Sequence, residues 1–109
     1  MHNIELPRAI RAFVEATNAG DSDTFVAAFT PDGSVYDWGR EFTGRDGVRA
    51  WDRTDNIGVQ AHFEVLGIED GDRPDTFVLT ARVTGNGYNG TGPLVFRLRD
   101  GLVAHLRIG

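Results

Sequence analysis

The chain has 109 residues with 40% hydrophobic and 25% charged side chains and a formal charge of −5, the composition of one ordinary globular domain with a single core. It has no cysteine and all 11 basic residues are arginine, which excludes disulfides, thiolate nucleophiles, cysteine-ligated metals and lysine Schiff-base chemistry. An acidic balance without a basic cluster argues against nucleic-acid or anionic-membrane partners, because phosphates need a concentrated positive surface.

Along Pro7–Ala19 the apolar positions Ile10, Phe13, Val14 and Thr17 recur at helical spacing, with Pro7 suited to the first turn and Gly20 to the stop. Asp21 or Ser22 can cap a second helix whose buried stripe is Phe25, Ala28 and Phe29, ended by the turn Pro31-Asp32-Gly33. Ser34–Trp38 reads as a short strand. Gly44–Thr54 carries Val48 and Trp51 on one helical face, which Asp55 continues one turn on. Met1–Arg11 lacks the basic and apolar regions of a signal peptide and no apolar run reaches membrane-spanning length, so a cytoplasmic protein is the expectation.

Beyond Gly58 the pattern turns to alternation: Val59–Ile68, Thr76–Thr84, Pro93–Arg99, then Leu102–Ile108 after Asp100-Gly101. The loops Glu69–Asp75 and Gly85–Gly92 are rich in Gly, Asp, Asn and Pro. Helices followed by a meander predict an α+β domain over residues 1–109, three N-terminal helices packed on one antiparallel sheet. Gly85–Gly90 leads into a strand and is no phosphate loop. Asp70-Gly71-Asp72 with Asp75 lacks the spacing of a calcium loop. No metal site or cofactor is expected. By parity His62 and His105 face away from the strand positions that build the core, and His2 is expected to be disordered.

The ordered set Asn18-Ala19-Gly20-Asp21, Phe25–Phe29, Pro31-Asp32-Gly33, Val35-Tyr36-Asp37-Trp38, Gly44–Val48 and Phe96–Val103 resembles the nuclear transport factor 2-like superfamily, the cone-shaped fold of ketosteroid isomerases and SnoaL-like polyketide cyclases. The resemblance covers nearly the whole chain and implies a curved sheet wrapped around the helices. It also implies an apolar pocket for a small hydrophobic molecule and a homodimer formed through the outer sheet face. Many members carry further residues after the position of Ile108-Gly109, where they close the pocket or extend the dimer edge.

Asp37 matches the general-base aspartate of ketosteroid isomerases, a group whose partial withdrawal from water suits it to take a proton beside a carbonyl. The positions of that family's two oxyanion donors hold Phe13 and Leu94, which cannot donate hydrogen bonds, so steroid isomerase activity is not expected. Substrate contacts are expected from Phe13, Tyr36, Trp38 and Trp51, with Asp55 projecting toward the same pocket. Phe77, Leu94 and Phe96 share inward strand faces, and Tyr88 is placed at the pocket mouth. The bland readings are that Asp37 bonds turn amides near Gly39 and that Asp55 caps a helix end. An acid and arginine pair like that of the superfamily's epoxide hydrolases would need Arg82 to face inward, against its parity. The expected functions are an isomerase, cyclase or hydrolase using Asp37, or a non-catalytic ligand-binding or dimerisation module.

Overall fold

The computed structural model describes residues 4–109, so His2 lies outside the described residues. The chain runs α1 (Arg8–Ala19), α2 (Ser22–Ala27), β1 (Phe29–Asp37), β2 (Arg40–Thr43) and α3 (Gly44–Asp55). A 3-10 turn, Ile57–Val59, leads into β3 (His62–Asp70), β4 (Thr76–Thr84), β5 (Gly90–Arg99) and β6 (Leu102–Ile108).

Gly20 ends α1 in the left-handed conformation, φ 70°, and its N–H returns to the last turn, as a residue without Cβ does at low cost. Asp21 caps α2 by accepting from the Thr24 N–H at 3.1 Å. The side-chain amide of Asn18 clamps the Phe63 backbone, accepting from its N–H at 2.8 Å and donating to its carbonyl at 3.0 Å. This ties α1 to β3.

The six strands form one sheet in the order β2-β1-β6-β5-β4-β3. The expected sheet was antiparallel throughout, but β1 pairs with β6 in parallel. Register shifts interrupt three of the pairings, at Phe29/Ser34, Val65/Gly67 and Arg97/Leu98. Bulges of this kind sharpen twist and curl the sheet around the helices.

Several boundaries depart from the sequence expectation: β5 begins at Gly90 and not at Pro93, and β3 runs on past Ile68 to Asp70. Phe29 and Thr30 open β1 instead of closing α2, and Pro31-Asp32-Gly33 is a bulge inside that strand. A Cβ at Gly33 would press on the Thr30 carbonyl oxygen at 3.0 Å and the Val103 carbonyl oxygen at 3.1 Å. β2 follows a two-residue turn, Trp38-Gly39, with φ 47° and 86°. Positive φ at both positions is the requirement of a type I′ hairpin, and the tryptophan in the first position hides that signal. At the start of β3 the 3-10 turn and the left-handed Gln60 replace the expected Val59–Ala61 strand.

The core centres on Phe13, fully buried, with ring centroids 5.1 Å from Phe25, 5.5 Å from Phe63 and 5.1 Å from Phe96. Phe63 joins this cluster to the cavity described below. No helix among the described residues is long and apolar enough to cross a membrane.

Candidate functional site

A cavity of about 270 Å³ opens at one end of the cone, slightly below the ~300–1,000 Å³ common for sites that enclose drug-sized ligands. Its apolar wall comes from Ala61, just ahead of β3, Phe63 of β3, Val83 of β4, Leu94 of β5 and Ile108 of β6. The opposite wall is the last turn of α3, where Trp51 and Asp55, four residues apart, face the hollow together. Trp38 and Tyr88 stand at the entrance, 74% and 65% exposed.

Asp37, the last residue of β1, projects into this space with its side chain 13% exposed. Its Oδ2 accepts from Trp51 Nε1 at 2.9 Å and from Arg40 Nη2 at 2.8 Å. Neither donor is a turn amide. Oδ1 accepts no hydrogen bond from the described residues, so one oxygen is held and the other is free to meet a ligand.

Arg40 sits opposite Asp37 because the Trp38-Gly39 turn brings these two residues into register. The same Nη2 also donates to Asp55 Oδ1 at 2.9 Å, and Nη1 reaches Asp55 Oδ2 at 3.3 Å. One guanidinium thus links two carboxylates on the cavity wall. Burial raises the Asp55 carboxyl, but hydrogen bonds from Arg40 and Thr54 together with the arginine's charge outweigh it and hold the group below 3.8. Hydrogen bonding to Asp55 in turn raises the guanidinium above its ordinary value, against the effect of burial. Asp55 therefore stays ionised, and of the two acids Asp37 has the unoccupied oxygen.

The cavity brings together Asp37, Trp38, Trp51, Asp55, Tyr88 and Leu94 from the expected set. Phe13 and Phe96 are corrections: both lie in the phenylalanine cluster and not on the cavity surface. Phe77 is at the far end of β4, beside the Asp70–Asp75 loop. Tyr36 faces outward on β1, where the Arg107 guanidinium lies 5.4 Å over its ring, because Val35 takes the inward position. Phe13 being in the core, no hydrogen-bond donor reaches the cavity from its position on α1.

Arg40, Thr54 and Asn56 also line the cavity and were absent from the sequence expectation. A hairpin reading of Trp38-Gly39 is the signal that would have found Arg40. Arg82 points outward and pairs with Glu64 at 2.9 Å. His62 is exposed, and His105 lies on the outer face with Nδ1 2.7 Å from Ser34 Oγ. No cluster of three or more metal-ligating side chains occurs among the described residues.

A SnoaL-like domain model matches residues 10–106 of the chain. No curated protein sequence matches it. Among solved structures, the chain is similar to a candidate polyketide cyclase from Sinorhizobium meliloti, with TM-score 0.85, 25% identity and 95% of each chain covered. A Mycobacterium tuberculosis protein in complex with estradiol-17β-hemisuccinate aligns with TM-score 0.79 and 16% identity over 94% of this chain and 92% of that one. A candidate ketosteroid isomerase from Kribbella flavida aligns with TM-score 0.76 and 16% identity, covering 93% of this chain and 73% of that one.

Proposed function

The chain belongs to the SnoaL-like domain family, and from that premise we propose that it is a small-molecule pocket protein in which Asp37 is the general base toward a small hydrophobic substrate. The observation that carries this reading is the division of labour within one carboxylate. Oδ2 is fixed by Trp51 and Arg40, while Oδ1 is left without a donor in a mostly apolar cavity. A held, partly desolvated carboxylate can take a proton from carbon next to a carbonyl and return it elsewhere on the same molecule. Such a shuttle needs no second acid, which agrees with Asp55 being kept ionised by Arg40. The reaction class is isomerisation or cyclisation of a carbonyl compound.

A second reading, a non-catalytic binding module, is favoured by Phe13 and Leu94. Without donors at those two positions an enolate would lose several kcal/mol of stabilisation, on the scale of about 2.7–4 kcal/mol for one oxyanion donor.

Thermal stabilisation across steroids, polyketides and aromatic lactones identifies ligands, since binding to the native state raises its apparent stability. Ligands that bind are then followed by NMR in deuterium oxide for exchange of the C–H beside their carbonyl. The catalytic reading expects exchange that Asp37→Asn abolishes without abolishing binding. Binding with no exchange selects the second reading.

The outer sheet face is assigned to a homodimer contact. Val78, Val95, Arg107 and Tyr36 align in one row across four strands there, and Leu66 is an exposed apolar residue on the neighbouring edge strand. Sedimentation should give a dimer for the native chain and a monomer for Val95→Glu.

A further inference from the structure

We propose that the cavity selects ring compounds that are neutral or carry an ammonium group and rejects carboxylates and phosphates. The proposal rests on reading the cavity as the ligand site and adds the charge class of what enters it. Asp37, Arg40 and Asp55 are the only charged residues lining the cavity among the described residues, a formal balance of two negatives against one positive. The positive group is already engaged. Arg40 Nη2 donates to Asp37 Oδ2 and Asp55 Oδ1, at 2.8 and 2.9 Å, and Nη1 to Asp55 Oδ2 at 3.3 Å, so an anion that reaches this guanidinium lies beside two carboxylates that already offset its charge.

Hydrogen-bond inventory points the same way. Asp37 Oδ1 offers an unoccupied acceptor, while the Trp51 indole donor nearest to it is taken by Oδ2. A ligand hydroxyl or ammonium therefore finds a partner at the polar end, whereas a ligand carboxylate finds acceptors facing acceptors.

The entrance adds a second, independent preference. Trp38 and Tyr88 present exposed aromatic surface at the rim. Trp38 is held at φ 47°, a costly conformation for a bulky residue, with its ring packed so closely on Gly109 that a Cβ there would lie 2.5 Å from the indole. Aromatic faces at an entrance favour flat rings and, through their quadrupoles, cations.

Three probes of one shape test this: 2-naphthylmethylamine, 2-naphthol and 2-naphthoate, titrated into the native chain at pH 7.5 by calorimetry. The amine and the naphthol are expected to bind at least about tenfold more tightly than the naphthoate at low salt, and added salt should narrow the amine-to-naphthoate ratio. Asp55→Asn, which brings the formal balance to zero, should narrow that ratio about fivefold or more. Naphthoate binding as tightly as the amine, or a ratio insensitive to both salt and Asp55→Asn, overturns the charge selection alone. If none of the three binds, the pocket reading falls with it. The salt series needs no variant, so the result does not depend on how Asp55→Asn folds.

Discussion

The indole N–H of Trp51 on α3 donates to Oδ2 of Asp37 on β1 across 2.9 Å, joining the helix to the sheet at the polar end of the cavity. Two residues 14 apart in sequence thereby lock β1 to α3 at the point where chemistry is proposed. Trp51 also stacks on Phe25 with ring centroids 6.0 Å apart, so the donor is held from behind by the core.

Trp51→Phe keeps most of the ring and removes the donor. A hydrogen bond to a charged acceptor is worth about 1.5–3 kcal/mol, and the variant should lose about that much stability. Urea denaturation checks it, with the midpoint falling and the slope unchanged.

Asp52 is 1% exposed and accepts from Ser22 Oγ at 2.8 Å, Asn56 Nδ2 at 3.2 Å and the Ile57 N–H at 3.4 Å. No cation pairs with it among the described residues, and these polar donors link α2, α3 and the 3-10 turn through its side chain. Replacement by alanine leaves buried donors unpaired and should cost about 2–4 kcal/mol. Calorimetric melting measures this as a lowered Tm.

Asp55 gives the acid limb of stability a defined sign. Its folded carboxyl lies below the ordinary 3.8 because hydrogen bonds and charge from Arg40 and Thr54 exceed the opposing effect of burial. A group depressed on folding stabilises the native state above its unfolded value and loses that contribution as pH falls through the folded value. Asp55→Asn should flatten the part of the stability profile below about pH 4, measured by denaturant midpoints across pH.

His105 acts in a different window. Burial, opposed by the Glu41 charge and aided by Arg97 and Arg107, holds its imidazole below 6.5. The unfolded chain then binds the proton more readily, so stability is full above 6.5 and declines as pH falls from there toward the folded value. His105→Gln, which retains a hydrogen-bonding side chain toward Ser34, should remove that slope between about pH 7 and 5.

Phe13 separates core from cavity. It packs on Phe25, Phe63 and Phe96, and Phe13→Ala should cost about 3–5 kcal/mol, the range for deleting a buried phenyl group. The contrast is Leu94→Ala, a cavity-wall change, which should alter ligand affinity measurably in chains that remain folded.

How far the sequence reveals this molecule depends on how local each determinant is. The helices and the four later strands are legible because their burial follows simple periods, as in Ile10-Phe13-Val14-Thr17 and Leu79-Ala81. Trp51 and Asp55 share a cavity wall by helical spacing alone. β2 was hidden by a turn whose first residue is tryptophan, and with it went Arg40, the residue that joins the two acids. Tyr36 faces outward because the inward parity of β1 belongs to Val35, which the bulge at Pro31-Asp32-Gly33 hides from simple alternation. Phe96 has the expected inward parity, yet it lies too deep to line the hollow, and depth along a cone is a tertiary quantity that alternation cannot supply.

The central claim is that ligands enter the hollow beside Asp37. The indole N–H resonances of Trp51 and Trp38 report on it directly, one bonded to the carboxylate and the other standing at the entrance. Titration with 2-naphthol, followed by nitrogen-15 NMR, should move both resonances in step with saturation. Binding that leaves the Trp51 signal in place would contradict the account.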